Sequence, residues 1–145
     1  MGKLKNALKN APETGCPCGS GQPYATCCQP LHDGQTQAAD ALTLMRSRYA
    51  AYAQRRADYL LATWHPGSRP EAFDLNDDRS QWLGLEVRAH TVQDETHATV
   101  EFIARYRLAG RGQRLHEISR FVREAGRWFY VDEQHSDETP ATPRT

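Results

Sequence analysis

Apolar residues recur every three or four positions between residues 36 and 55, which is the spacing of one face of an amphipathic helix. Thr36 stands at the start of this run and can serve as its N-cap. The apolar positions are Ala39, Leu42, Met45, Tyr49 and Tyr52. A shorter helix is predicted from position 57 to about 63, because the following Trp64-His65-Pro66-Gly67 cannot continue it.

After Trp82 the apolar period changes to two, which predicts β-strands over residues 83–88, 98–108, 115–123 and 127–131. In the second strand one face is apolar and the other carries charged residues. Glycine-containing turns separate the last three strands, so we expect an antiparallel meander. The apolar face of the second strand comprises Ala98, Val100, Phe102, Ala104, Tyr106 and Leu108.

Helices followed by an antiparallel sheet predict an α+β domain over residues 36–132. If the sheet curves around the helices, the domain forms a cone with a pocket. Residues 66–81 are interpreted as a polar loop with one helical turn before Trp82. We expect residues 1–15 to be a flexible arm, residues 16–35 a separate segment with its connector, and residues 133–145 a disordered tail.

Charge narrows the class of protein further. The 145 residues include 18 basic and 18 acidic side chains, so the net charge is zero with neutral histidines. This balance predicts no global field that would attract nucleic acid or a membrane surface. No apolar run approaches the roughly 18 residues that span a bilayer, and the N-terminus lacks the apolar stretch of a secretory signal. We therefore expect a cytoplasmic protein.

All four cysteines lie within residues 16–28, in the pattern Cys-x-Cys-x₈-Cys-Cys. A disulfide would join neighbours with strained geometry in a reducing compartment, and a redox pair would more often read Cys-x-x-Cys beside a βαβ unit. Four thiolates match the closed tetrahedral shell of structural zinc, which leaves no position open for catalysis. We predict that Zn²⁺ is bound by Cys16, Cys18, Cys27 and Cys28. The nearby His32 is expected on the surface or beside the ligands, not on the metal.

The segment Cys16-Pro-Cys-Gly-Ser-Gly, followed by Tyr24 and Cys27-Cys28, resembles a SEC-C motif. This is the zinc-binding segment also found at the C-terminus of the SecA preprotein translocase, where it docks to the chaperone SecB and to the ribosome. The resemblance therefore implies zinc and a protein or ribosomal partner. The typical loop between the cysteine pairs is lysine-rich, whereas residues 22–26 are uncharged here, which argues against a partner held by basic loop residues.

Further blocks, up to about residue 132, resemble the YchJ family, also called UPF0225. The resemblance implies an NTF2-like domain behind the zinc segment, and little about activity. Some relatives carry a second SEC-C motif after the sheet, but this chain has no cysteine there, so one zinc site is expected. The blocks are Leu-Met-Arg-Ser-Arg-Tyr (44–49), Ala-Asp-Tyr-Leu (57–60), Thr-Trp-His-Pro (63–66), Trp-Leu-Gly-Leu (82–85), Val-Glu-Phe (100–102), Ala-Arg-Tyr (104–106), His-Glu (116–117), Ser-Arg-Phe (119–121) and Trp-Phe-Tyr-Val-Asp (128–132).

Chemistry in the larger domain would come from polar residues of the pocket. Strand parity places His116 on the face opposite Glu117, so these two neighbours do not form a dyad. A cross-strand set of Glu101, Arg105, Glu117 and Ser119 can bind a polar ligand or can simply form salt bridges on a half-exposed sheet. Because no acid, base and orienting partner can be paired, structural roles are favoured over catalysis. The candidate pocket residues are Trp64, His65, Glu101, Arg105, Glu117 and Ser119.

Three hypotheses about function follow. The first is a zinc-binding module that docks to a protein or to the ribosome through residues 16–28. The second is an enzyme or small-molecule-binding protein that uses the pocket of the NTF2-like cone. In the third, zinc serves only to hold together a segment that is too short to fold alone.

Overall fold

A computed structural model describes residues 15–134 of the chain. A short 3₁₀ helix, Tyr24–Thr26, is followed by three α-helices and four strands. All but residue 15 of the predicted flexible arm (residues 1–15), and all but residues 133 and 134 of the predicted disordered tail (residues 133–145), lie outside the described residues. The elements are α1 (Gln29–His32), α2 (Ala41–Gln54), α3 (Ala57–Ala62), β1 (Gln81–Val92), β2 (His97–Leu108), β3 (Arg111–Glu124) and β4 (Arg127–Gln134).

Helix α2 begins later than the sequence pattern suggested. Its N-cap is Asp40, whose carboxylate accepts a hydrogen bond from the backbone N–H of Thr43 at 2.8 Å, so the prediction of Thr36 as the cap is wrong. The helix ends at Arg55, which adopts a left-handed conformation with φ of 60°. Its buried surface is wider than one apolar stripe, because the sheet covers one side and the cysteine segment covers another.

The four strands form one antiparallel sheet in the order β1-β2-β3-β4, as the meander pattern predicted. Register shifts in β1, between Trp82 and Gly84 and between Val87 and Ala89, mark bulges that increase the twist of the strand. All four strands are longer than their predicted ranges, and β4 includes Glu133 and Gln134, so the disordered tail does not begin at residue 133.

The core lies between the concave face of the curved sheet and the helices. On β2 the inward residues are the predicted ones, and Ala98, Val100, Phe102 and Ala104 are all buried. They pack with Leu44, Met45 and Leu60 of the helices and with Phe121 of β3. The opposite face of β2 is less polar than predicted, because Ile103 is only 1% exposed there.

Residues 66–80 run along the surface without the helical turn that was predicted there. Instead, Asp78 donates its backbone N–H to the carbonyl of Leu75, which closes a tight turn. Leu75 is buried in the core and anchors the loop, and Arg55 donates a hydrogen bond to its carbonyl. The acidic run therefore lies on an anchored loop.

None of the helices formed by residues 15–134 has the length and apolar character required to cross a membrane.

Candidate metal centre and the cavity of the cone

The cysteine segment folds back on itself through a loop that glycine makes possible. Gly19 and Gly21 have φ values of 83° and 89°, in the left-handed region that favours glycine. The N–H of Cys16 donates to the carbonyl of Gln22 at 2.8 Å, which closes the loop. The 3₁₀ helix then leads to Cys27 and Cys28, which lie at the entrance of α1. The local backbone thereby brings the first pair of thiols, Cys16 and Cys18, next to the second pair, Cys27 and Cys28.

The four sulfur atoms form a compact cluster. All lie within 4.8 Å of one another, and the Sγ–Sγ distances are 3.6 Å for Cys18–Cys27 and 3.9 Å for Cys27–Cys28. A tetrahedron with metal–sulfur bonds of about 2.3 Å has edges of about 3.8 Å. All four cysteines are free thiols, so the disulfide alternative is not formed. The donor set fits one thiophilic ion with four sulfur ligands.

The thiols influence one another's ionisation. Hydrogen bonds with Cys16 and Cys28 lower the pKa of Cys18, whereas the hydrogen bond with Cys18 raises the pKa of Cys16 to about 11. The pKa of Cys28 is also raised, chiefly by hydrogen bonding with Cys16. The thiols therefore titrate as one coupled group and not independently. A bound divalent cation would favour deprotonation of all four thiols.

The cysteine cluster packs directly on helix α2. Cys16, Cys18 and Cys28 are buried in a small cluster with Ala50. Arg46 of the helix donates from Nη1 to the carbonyl of Cys18 at 2.7 Å. The cluster is thus attached to the larger domain by both packing and a charge-assisted hydrogen bond.

His32 is buried, with 5% of its surface exposed, so the expectation of a surface position is wrong. Nε2 lies 2.8 Å from the carbonyl of Ser47, which can only accept, so Nε2 carries the hydrogen. Nδ1 then accepts from the Tyr24 hydroxyl at 2.6 Å. Both ring nitrogens are occupied, which agrees with the prediction that His32 is not a metal ligand. Burial lowers the pKa of this imidazole.

The cone contains a cavity of about 240 Å³ between α2 and the sheet. Arg48 reaches it from the helix and lies over two rings that contact each other, with its guanidinium carbon 4.3 Å from the centroid of Tyr130 and 5.3 Å from that of Trp64. Its Nη1 donates to the carbonyl of Leu60 and the hydroxyl of Thr63. Other lining residues include Tyr49, Tyr52, Trp82, Phe102, Glu117 and Ser119.

The predicted set of four polar residues is divided between the two faces of the sheet. Glu117 and Ser119 line the cavity, opposite Phe102 and Val100 on β2. Glu101 pairs with Ile118, which lies between the two cavity residues on β3 and therefore points to the other face. Glu101 and Arg105 thus lie on the outer face of the sheet. The prediction of a single quartet is therefore wrong.

The outer residues form pairs of their own. Glu101 is 2.7 Å from His116 Nε2, and Arg105 is 3.6 Å from Glu86. His116 and Glu117 do lie on opposite faces, as parity predicted. Cross-strand pairs of this kind are the structural role that the sequence favoured for charged residues on the sheet.

Trp64 and His65 lie where α3 meets β4. The backbone of His65 donates to the carbonyl of Tyr130, and the backbone of Tyr130 donates to the carbonyl of Thr63. The His65 ring pairs with Glu124 at 2.9 Å, outside the cavity. The Trp64 ring supports Arg48 but is not part of the cavity wall.

Sequence reasoning missed Arg48, although its spacing carried a signal. Arg48 is three residues after Met45 and four before Tyr52, which places a charged residue on the apolar face of a predicted helix. The exposed fraction of Arg48 is 6%, and such burial of a guanidinium requires a special environment.

Comparisons with known proteins agree with this architecture. Residues 40–133 match the family described as "YchJ, middle NTF2-like domain", and residues 15–30 match the SEC-C motif. A UPF0225 protein of Bordetella pertussis is 55% identical over 120 residues, covering 81% of this chain and 90% of the relative. A UPF0225 protein of Polaromonas naphthalenivorans is 53% identical over 131 residues, covering 82% of this chain and 96% of the relative.

Two solved structures share the fold. The solution structure of a SEC-C motif-containing protein from Rhodopseudomonas palustris is 40% identical and superposes with a TM-score of 0.76, covering 85% of this chain and 99% of that one. A crystal structure of a SEC-C motif-containing protein from Psychrobacter arcticus is 31% identical, with a TM-score of 0.71, covering 88% and 85%. The predicted combination of a SEC-C segment with an NTF2-like α+β domain is confirmed.

Proposed function

The chain belongs to the UPF0225 (YchJ) family, and on this premise we propose that it is a zinc-binding interaction protein. One Zn²⁺ held by Cys16, Cys18, Cys27 and Cys28 fixes the SEC-C segment on helix α2. The segment then presents its outer loop to a protein partner. The single observation that carries the proposal is the cluster of four sulfur atoms, all within 4.8 Å, packed against Ala50 of the larger domain.

Zinc is favoured by the chemistry of the ligands. Four thiolates with no imidazole or carboxylate are typical of structural zinc, and the spacing matches a closed tetrahedron. With all four positions occupied, the ion has no site for a substrate or an activated water. Its role would be to hold residues 15–35 in shape and in place, since a segment this short buries little apolar surface by itself. Thiolates that are not in disulfides also suit a reducing cytoplasm, and the proposal includes this location.

The interaction role rests on how the segment is exposed. Residues 19–23, 25 and 26 face solvent, whereas Cys16, Cys18 and Cys28 beneath them are buried. The exposed loop carries no charged side chain. A partner would therefore recognise it through backbone groups and neutral side chains, in contrast to the basic loops that are typical of SEC-C motifs. A protein surface, including a protein of the ribosome, offers such contacts.

Metal content tests the first half of the proposal. Protein purified without chelator should contain one zinc per chain by elemental analysis, and colourless spectra should exclude an iron centre. Cys27→Ser and Cys28→Ser should each lower the zinc content well below one per chain. A full complement of zinc in the double variant would overturn the proposed ligand set.

Partner binding is tested with two kinds of change: chelation removes the folded shape of the segment, and a substitution alters only the contacts of its exposed loop. Ribosomes and the SecB chaperone, each purified, are probes for co-sedimentation and for direct titration. Ala25→Glu changes the exposed loop without touching a cysteine, and Ala53→Glu on α2 is the matched control. The proposal expects chelation and Ala25→Glu to abolish binding, and Ala53→Glu to preserve it. If the zinc-loaded protein binds neither probe, or if Ala25→Glu binds normally, zinc serves only to hold the segment on the domain.

A further inference from the structure

Arg48 is a buried cation with unused hydrogen-bonding capacity. Within residues 15–134, both of its hydrogen bonds start from Nη1, and both acceptors are neutral. Its guanidinium also lies over the faces of Trp64 and Tyr130. Although Arg48 is only 6% exposed, it lines the cavity. A guanidinium has five N–H donors, so Arg48 can still donate into the cavity from Nε and Nη2.

Ser119 is a second buried polar side chain that lines this cavity. It is 4% exposed, lies on the inner face of β3 opposite Val100, and lines the same cavity. Its hydroxyl makes no hydrogen bond with any residue between 15 and 134. A hydroxyl that lines a cavity can donate to or accept from a bound molecule. Arg48, which has donors to spare, and Ser119 therefore line the same cavity, and this pairing of polar groups indicates a binding site.

The remaining walls are mainly apolar and aromatic. The ring of Trp82 lies 5.6 Å from that of Tyr49 and 5.9 Å from that of Tyr52, measured between centroids. Phe102, Leu115 and Phe121 complete the apolar lining. The cavity is smaller than the roughly 300–1,000 Å³ of drug-sized sites, so its ligand is small.

Charge around the cavity selects among anions. Among the wall residues between positions 15 and 134, Arg48 is the one cation, whereas Glu117 and Glu133 also line the cavity. A phosphate monoester carries nearly two negative charges at neutral pH and would be repelled by these carboxylates. A carboxylate carries one charge and matches the planar fork of a guanidinium. Among anions, Arg48 therefore pairs better with a monoanion that has an apolar body than with a dianion.

We propose that the cavity binds a small monocarboxylic acid whose carboxylate pairs with Arg48. Ser119 offers a further hydroxyl to the ligand, and the apolar body packs on the aromatic wall around Trp82. This site is separate from the cysteine cluster and does not depend on the role of the metal.

A matched series of probes tests the chemical class. Phenylacetate, phenylacetamide, phenethylamine and phenyl phosphate share one ring and differ in the polar group. Each is titrated into the zinc-loaded full chain, with binding followed by amide chemical shifts and by tryptophan fluorescence. Phenylacetate should bind at least ten-fold more tightly than each of the other three. Hexanoate is tested as a second, aliphatic monocarboxylic acid. The proposal would be overturned by equal binding of acid and amide, by tighter binding of the amine or phosphate, or by no binding of either phenylacetate or hexanoate.

Variants locate the site. Ser119→Val removes the hydroxyl and should weaken phenylacetate binding at least five-fold, while Arg105→Met on the outer face should leave it unchanged. Arg48→Met should remove the preference for the acid over the amide. If Arg48→Met does not fold, Ser119→Val and the probe series decide the matter. Wild-type affinity in Ser119→Val, or shift changes confined to the outer face, would contradict the site.

Discussion

Arg46 of helix α2 donates a hydrogen bond of 2.7 Å from Nη1 to the backbone carbonyl of Cys18. The bond links the larger domain to a residue of the cysteine cluster, across 28 positions of sequence. It is charge-assisted and half-buried, so it contributes more than a surface contact would. The stability of the cysteine segment and the integrity of the α2 surface are therefore coupled.

Replacing Arg46 should weaken metal binding without altering a ligand. Arg46→Met keeps the aliphatic packing but removes the hydrogen bond, at a cost of about 1.5–3 kcal/mol. If the segment must be docked in order to hold zinc, the zinc dissociation constant rises about ten-fold or more. Competition with a chromophoric chelator measures this constant. Arg107→Met, on an exposed part of β2, is the control and should leave zinc affinity unchanged. An unchanged affinity in Arg46→Met would show that the segment holds its metal without the domain.

Removal of zinc should unfold the segment and spare the cone. The described segment ahead of α2 packs on the domain through a small cluster and through Leu31, whereas the rest of the core joins α2, α3 and all four strands. On chelation, amide protection should be lost over residues 15–35, and the amides of β2 should remain protected. Hydrogen exchange with and without a chelator measures both. Loss of protection throughout β2 would instead show that the metal is required for the whole fold.

The sequence was most informative where one physical rule dominated. Alternation on β2 predicted its inner face, because one side of a sheet against a core must be apolar. The cysteine spacing predicted that the four thiols cluster, because local backbone geometry is enough to bring the sulfur atoms together. Both features depend on residues close in the chain.

Features that depend on packing between distant segments were missed. His32 is buried because Ser47, fifteen residues away, accepts its hydrogen bond, and no periodicity signals that contact. Asp40 caps α2 where Thr36 was predicted, since the chain between the two positions turns away before the helix starts. Glu101 and Glu117 have the same local character, and only the register between β2 and β3 places them on opposite faces.

The division of charged residues between the two faces predicts unequal effects on stability. Glu101→Gln removes a partly exposed pairing with His116 and should change the free energy of unfolding by no more than about 1 kcal/mol. Arg48→Met removes two hydrogen bonds of a buried guanidinium and its stacking on Tyr130, and should lower it by about 3 kcal/mol. Denaturant unfolding of the zinc-loaded variants measures both. Comparable losses would mean that the outer face is as important to the fold as the cavity.

The buried His32 should make attachment of the cysteine segment sensitive to acid. Burial lowers its pKa in the folded protein below the ordinary value of 6.5. Above pH 6.5 the imidazole is neutral in both the folded and the unfolded segment, so His32 adds no pH dependence there. As the pH falls through 6.5, the unfolded segment binds a proton that the folded one excludes, so stability decreases with acidification.

Three variants separate this effect from protonation of the cysteines. His32→Gln cannot titrate, so between pH 7 and 5 its stability should fall less steeply than that of the wild type, at equal zinc content. Tyr24→Phe removes a hydroxyl that donates only to the neutral ring, so it should raise the pKa of His32. The control, Tyr106→Phe, changes a ring near the C-terminal end of β2, where it contacts Trp82. Imidazole proton shifts measured by NMR follow the titration, and hydrogen exchange over residues 15–35 follows the stability. Equal pH slopes for the wild type and His32→Gln would show that the thiols alone confer the acid sensitivity.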